Sequence, residues 1–180
     1  MIQPIHTARL TLRTWSDDDI SRMIELCADP TVMRYFPSTM SSDETRQMMN
    51  RIIQHLSDWG YGLYAAEHTE DRAFIGFIGL MHTTFESKFT PCIEIGWRLD
   101  SRYWNQGLAT EGAMAVLEHS WRVLELEDVY SWTATTNTPS ERVMQKLGMT
   151  RLEGTFLHPH LPSDSQLAEH IVYHITNPRI

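Results

Sequence analysis

Tyr103–Gly112 reads YWNQGLATEG, and the reading of this stretch decides how its neighbours are assembled. An alternating apolar run, Ile93–Leu99, precedes it, and an apolar-rich segment, Ala113–Leu124, follows. These periodicities on either side of a polar, glycine-containing turn predict strand, tight turn, helix. Such a turn points its own amides and the first free N–H groups of the helix at one spot, which favours a phosphate. Gly107 has two readings, a position where a Cβ would press on a ligand or an ordinary helix-start glycine. Ala109 keeps the first helical turn slim, and Thr110 either contacts an anion or satisfies the turn itself.

Working outward, Leu10, Leu12 and Thr14 alternate with polar residues as a first strand. Ser16 and Asp19 have capping-box spacing before a stripe of Ile20, Met23, Ile24 and Cys27. Asp29–Pro30 ends that helix. Ser41 and Glu44 open a second helix to about Trp59, with Met48, Met49, Ile52, Ile53 and Leu56 as its buried face. The apolar loop Thr31–Met40 between them either folds back over a groove or covers a core edge. Leu63–His68, Ala73–Thr83 and Ile93–Leu99 are three strands joined by short connections, predicting an antiparallel meander. Gly76 and Gly79 inside the second of these imply a bulge or a close backbone approach. Thr84–Pro91 reads as a polar connection.

Past the central helix, Val129–Ala134 is a strand that a helix separates from its predecessor, so the two are expected to run parallel. Thr138–Pro139 opens another helix, and Gly148 is placed to end it. Thr150–Gly154 starts a strand, a loop rich in Pro and His follows, and Leu167–Ile175 closes the sheet. The expectation is a single α/β domain over residues 1–180, a mixed sheet with helices on both faces that is not doubly wound.

Bulk properties narrow the function. A chain of 180 residues holds a substantial core without staples. Its formal net charge of -8, from 15 Lys+Arg against 23 Asp+Glu, disfavours steering toward nucleic acid. The opening MIQPIHTARL lacks the order of a signal peptide, and no run of 18 apolar residues implies a membrane span. Cys27 and Cys92, far apart in apolar patterns, read as buried thiols, consistent with a reducing cytoplasm. His158, His160, His170 and His174 lack the cysteine or carboxylate register of a zinc site, so no metal is expected. Oligomeric state has no sequence signal here, and a symmetric homodimer is the default.

One carboxylate stands out. Strand alternation puts Glu94, Gly96 and Arg98 on one face and Ile93, Ile95 and Trp97 on the other. An acid on a central strand beside a glycine suits a pocket, where burial raises its pKa toward that of a general base. The alternatives are a solvent-facing carboxylate or one paired with Arg98.

Four pieces then occur in order: TARLTLR, IEIGWRL, YWNQGLATEG and TNTPSERVMQKLGM. Together, spanning residues 7–149, they resemble the GNAT superfamily of N-acetyltransferases, and within it the ribosomal-protein N-terminal acetyltransferases. The resemblance implies acetyl-coenzyme A bound where two parallel strands splay apart, here Ile93–Leu99 and Val129–Ala134. It implies a pyrophosphate loop on Trp104, Asn105, Gln106, Gly107, Leu108 and Ala109. Trp104 departs from the Arg or Gln of many relatives, leaving nearby Arg102 as a candidate side-chain contact. Backbone N–H groups around Trp97 and Leu99 would polarise the thioester carbonyl. The resemblance makes Asn137 a cofactor-orienting residue rather than plain turn chemistry, Glu94 the base, and Ser140 the proton donor to the leaving thiolate. Neither cysteine falls in these motifs, so direct transfer without an acyl-enzyme is implied.

The acceptor implied is a primary amine, foremost the N-terminal α-amine of a protein, whose reference pKa of about 7.7–8.0 eases deprotonation. Polyamines, amino acids and aminoglycosides are the alternatives on this scaffold, and a non-catalytic acyl-CoA-binding protein is a second class. A P-loop nucleotide site is excluded because no Lys follows the glycine turn in the required pattern. Thr31–Met40, Thr84–Pro91 and Phe156–Ser165 are the loops expected to shape the acceptor site. Tyr35, Phe36, Phe85, Phe89 and Phe156 would supply its lining, and Glu86 and Asp164 would attract a cation.

Overall fold

Why the chain forms a sheet with two unlike sides follows from its strands, several of which bury both faces. A computed structural model describes residues 2–180. Among the described residues the strands are β1 (Ile5–His6), β2 (Leu10–Arg13), β3 (Leu63–His68), β4 (Phe74–Thr83), β5 (Cys92–Leu99), β6 (Asp128–Ala134), β7 (Thr150–Arg151), β8 (Phe156–Leu157) and β9 (Glu169–Thr176). They form one nine-stranded sheet in the order β1-β2-β3-β4-β5-β6-β9-β7, with β8 also on β9. Every pairing is antiparallel except β5 with β6. The helices are α1 (Asp19–Ala28), α2 (Ser42–Trp59), α3 (Leu108–Arg122) and α4 (Thr138–Lys146). This is the expected mixed sheet, with β1 and β8 added and Thr150–Gly154 shortened to a two-residue strand.

Two apolar clusters lie on the two sides of the sheet. Ala113, Val116 and Leu117 of α3 and Met144 of α4 pack with Ile78, Ile95 and Leu99. Met23 and Cys27 of α1 and Met49 and Ile52 of α2 pack with Leu63, Ala65 and Phe77. Alternation along β3 serves both, since Tyr64 and Ala66 join the first cluster and Leu63 and Ala65 the second. Tertiary burial, more than helix propensity, thus fixes which stripe of each helix faces inward.

Helix ends follow their chemistry with one change. Ser41 and Glu44 form a complete capping box at α2. The Ser16–Asp19 pair does not cap α1 in that way. The Asp19 carboxylate accepts the Ser16 N–H at 2.8 Å but is held chiefly by Arg13, at 2.8 and 2.9 Å, and α1 begins at Asp19 itself. Asp19 is 2% exposed. Burial works to raise its pKa, and the Arg13 and Ser16 hydrogen bonds outweigh that to hold it below its ordinary value. Ile53, expected on the buried face of α2, is exposed instead. Thr45, Met49, Ile52 and Leu56 recur at helical spacing and already fill the contact face.

At Gly76 the backbone has φ +131°, and a Cβ there would sit 2.1 Å from the Arg98 carbonyl oxygen. The β3–β4 register shifts between Ala66 and Glu67 opposite it. The glycine therefore permits the expected bulge and brings β4 tight against β5.

Candidate active site

β5 and β6 are paired at one position only, Glu94 with Tyr130. Ser131 Oγ adds a 2.9 Å bond to the Ile95 carbonyl, and beyond that point the register supplies no further partner. Because the Ile95 carbonyl points at β6 while the Asp100 N–H bonds to Ile75 of β4, the odd-numbered backbone groups of β5 face the gap. The N–H groups of Trp97 and Leu99 thus open into a wedge between diverging strands. The Leu99 carbonyl is taken by the Trp104 indole N–H at 2.8 Å, which closes the end of the strand.

The wedge opens into a cleft of about 940 Å³. Its lining includes Glu94, Trp97, Leu99, Trp104, Asn105, Gly107, Leu108, Ala109, Thr110, Asn137 and Ser140. The fold thus brings together residues drawn from three separate stretches of sequence. Gln106 is the exception: its side chain turns away to the Arg102 carbonyl at 3.2 Å, and it does not line the cleft. Arg102 is likewise diverted, pairing with Asp100 at 2.6 Å.

The turn before α3 contains two left-handed residues, Asn105 at φ +60° and Gly107 at φ +82°. A backbone alternating in this way turns successive N–H groups inward, next to the N-terminal end of a 15-residue helix. A Cβ on Gly107 would have only Arg9 Nη2 nearby, at 3.7 Å, so within the protein the demand on Gly107 is conformational. An unforeseen clamp holds the turn. Arg9 donates to the Gln106 carbonyl at 2.9 Å and pairs with Glu111 at 2.6 Å, and Thr7 donates to the same carboxylate at 2.6 Å. The TARLTLR stretch carried this signal, since its Thr7 and Arg9 precede the strand while its leucines are core.

Asn137 caps α4, its Oδ1 accepting the Ser140 N–H at 3.3 Å. Its Nδ2 donates to Thr133 Oγ1 at 2.8 Å and to Ser140 Oγ at 3.2 Å, so both amide protons are spent locally. Ser140 Oγ accepts there, leaving its own O–H free to donate into the cleft.

Glu94 is largely buried, and its one side-chain partner is the Thr83 hydroxyl at 3.3 Å. Burial pushes its pKa up to about 8, and the Thr83 bond only partly counters this. It is not paired with Arg98, whose guanidinium lies against Cys27 Sγ at 3.2 Å and over the Phe36 ring at 4.1 Å. The Cys92 thiol is pushed up to about 12, first by burial and then by the charges of Glu94 and Asp128, and is a poor nucleophile.

The loop Thr31–Met40 does both things expected of it. Val32 and Met33 are buried, while Arg34, Tyr35 and Phe36 line the cleft. Thr84–Pro91 is not a polar connection: Phe85 packs against Trp132, Phe156 and His158, and Phe89 against Trp132 and Phe156. His158 is pushed down to about 4 by burial, then by neighbouring His170 and His160. Among the described residues no group of three His, Cys, Asp or Glu is placed to hold a metal ion. No helix among them is long and apolar enough to cross a membrane.

Charge in the cleft departs from expectation. Among the described residues Glu94 is its sole carboxylate, against Arg34, Arg51, Arg98, Arg142 and Lys146. Neither Glu86 nor Asp164 lines it. None of the five cations forms an ion pair among the described residues. Arg142 and Lys146, one turn apart on α4, share the wall with Asn137 and Ser140, an arrangement suited to phosphates. Free strand amides, an anion-binding turn and unpaired cations together fit acetyl-coenzyme A.

Comparison with known proteins agrees. Residues 9–150 match the acetyltransferase (GNAT) domain. The uncharacterized N-acetyltransferase YnaD of Bacillus subtilis (strain 168) is 31% identical over 153 residues, 84% of this chain and 85% of that protein. A GNAT-family acetyltransferase structure from Bacillus anthracis superposes with a TM-score of 0.78 at 26% identity, covering 97% of this chain and 99% of that one. At 18% identity, structures of RimL, a ribosomal L7/L12 alpha-N-protein acetyltransferase (TM-score 0.77, covering 97% and 98%), and of spermidine N-acetyltransferase from Vibrio cholerae (TM-score 0.72, covering 95% and 97%) share the fold. The relatives span several kinds of GNAT enzyme and do not single out the ribosomal-protein branch that the motifs resemble. Matched across its core by the GNAT domain and built around that domain's splayed strands, the chain belongs to the GNAT acetyltransferase family and is an acetyl-CoA-dependent acyltransferase.

Proposed function

We propose that this enzyme transfers the acetyl group of acetyl-CoA directly to a primary amine, the N-terminal α-amine of a peptide or protein. The observation that carries the reading is Glu94. It is an acid of raised pKa beside the point where β5 and β6 part, in a cleft that contains no other carboxylate. Glu94 accepts, directly or through a water, the proton that the ammonium sheds as its nitrogen attacks the thioester carbonyl. The N–H groups of Trp97 and Leu99 face the carbonyl oxygen, and the free Ser140 O–H gives its proton to the departing thiolate. The turn from Trp104 to Thr110, with Arg142 and Lys146, holds the pyrophosphate, and Asn137 keeps Ser140 and α4 in position. The raised Cys92 pKa supports direct attack over an acyl-enzyme. A cleft about 940 Å³ in volume leaves room for an extended chain, and RimL, which shares the fold, is named for α-N-protein acetylation. Work in the cytoplasm, where acetyl-CoA is made and used, accords with two free buried thiols.

The test is an acetyl-CoA turnover screen over peptides of varied N-terminus, spermidine and other polyamines, free amino acids and aminoglycosides. Peptide acceptors should give the highest kcat/KM. A clear preference for polyamines would replace the peptide reading with a small-molecule one. CoA binding with no transfer to any amine would replace it with the non-catalytic one.

A further inference from the structure

Among the described residues Arg98 is a cation left without a counter-charge. It is largely buried, its Nη1 meets only the sulfur atoms of Cys27, Met40 and Met48 at 3.2, 3.9 and 3.8 Å, and its Nε has no partner. Thioethers and thiols are weak acceptors, and the Phe36 and Phe77 rings beneath it, at 4.1 and 5.4 Å, supply no opposite charge. Burial lowers its pKa, the expected cost of a guanidinium taken out of water without a carboxylate. Such a group is satisfied when a ligand brings the missing anion.

The position of Arg98 separates it from the coenzyme. Its contacts are with Cys27 of α1, Met48 of α2, Phe36 and Met40 of the loop between them and Phe77 of β4, on the opposite side of β5 from α3 and the turn before it. On that same face of β5 lies Glu94, four residues back, so the two are separated by about 13 Å along the strand. Gly96 lies between them, and a Cβ there would meet nothing nearer than Glu94 Oε1 at 3.9 Å, which leaves the strip from acid to cation open. Arg51, one helical turn beyond Met48, lines the cleft next to this strip and has no ion pair among the described residues.

We infer that Arg98, assisted by Arg51, binds a carboxylate of the acceptor, so that the preferred substrate is a peptide amino terminus with an acidic residue in its first positions. The inference rests on the acetyltransferase reading above and names its acceptor class. A free α-amino acid places its carboxylate too near its amine to span the strip, and a polyamine brings a second cation to an arginine that needs an anion.

The test pairs two otherwise identical peptides, one with Glu and one with Gln at the second position, with spermidine alongside, on wild type, Arg98→Met, Arg98→Lys and Arg51→Gln. Wild type should favour the Glu peptide by about tenfold in kcat/KM, mostly through KM. Arg98→Met should bring the ratio to about one, Arg98→Lys should restore part of it, and Arg51→Gln should reduce it a few-fold. Arg51 is exposed, so its variant serves even where Arg98→Met fails to fold. Equal rates for the two peptides in wild type, a preference for spermidine, or a parallel loss with both peptides in Arg98→Met would overturn the inference. Calorimetry of the same peptides with the CoA-loaded protein reads the preference without turnover. Acid-selective binding without transfer would fail the catalytic reading alone, and equal or absent binding would fail this one.

Discussion

Glu94 shows how one environment sets both chemistry and stability. With a pKa of about 8 it is mostly protonated at neutral pH, so the rate should climb as pH rises through about 8 and the carboxylate forms. Glu94→Gln should remove that ionisation from the pH profile and lower kcat by about 10²-fold, with CoA affinity within a few-fold. An unchanged kcat at neutral pH would sink the assignment. The same shift fixes the sign of a stability effect. The folded-state pKa lies above the unfolded value of about 4.3, so the folded protein binds more protons between the two and loses stability as pH rises across that window. Glu94→Gln should therefore raise the unfolding midpoint at pH 8 by several degrees, with the gain shrinking toward pH 4 in thermal scans. A gain independent of pH would mean that burial of this carboxyl is not its source.

At the scale of the element, the turn into α3 depends on backbone conformation more than on side chains. Gly107, at φ +82°, occupies a region that β-branched residues rarely enter, and its N–H groups are useful only in that conformation. Gly107→Val should weaken CoA binding by at least about 100-fold in calorimetry while far-UV circular dichroism stays native, since the mutated site is exposed. Wild-type affinity in that variant would rule out the turn as the phosphate site. The Arg9–Glu111 pair ties this turn to the start of β2, which is why residues 102 positions apart act on one loop. Asn137 illustrates a second economy of structure: the cap that starts α4 also fixes the hydroxyl of Ser140.

For the whole molecule, the parting of β5 and β6 leaves edges of both central strands without strand partners, and a ligand that bridges them should stabilise the native state. CoA at about 100 times its Kd should add about 2.7 kcal/mol, a rise of about 5–10 °C in the unfolding midpoint of a chain this long, read by scanning fluorimetry. No shift at saturation would contradict binding in the gap. Much of this architecture was legible in local pattern. Apolar runs set off by turns marked β3 and β4, the alternating run Ile93–Leu99 marked β5, the Ser41–Glu44 box and Thr138–Pro139 marked two helix starts, and Gly107 marked the turn before α3. These depend on neighbours within a few residues, where sterics and hydrogen bonding act directly. What only the tertiary structure decided was set by which groups meet in space, whether near or far along the chain. Arg13, 6 residues away, drew Asp19 out of its cap, and Thr45, Met49, Ile52 and Leu56 left Ile53 outside the core. Phe85 and Phe89 joined aromatics of β6 and β8, and Gln106 turned from the cleft its neighbours line. The cleft's charge was hidden for the same reason: a net charge of -8 belongs to the whole chain, whereas folding gathered five cations and one carboxylate around a single cavity. The sequence by itself determined the strand–turn–helix that we propose holds the coenzyme. The tertiary structure alone decided which charges line the cleft, because charge complementarity arises from proximity in space, which no local spacing encodes.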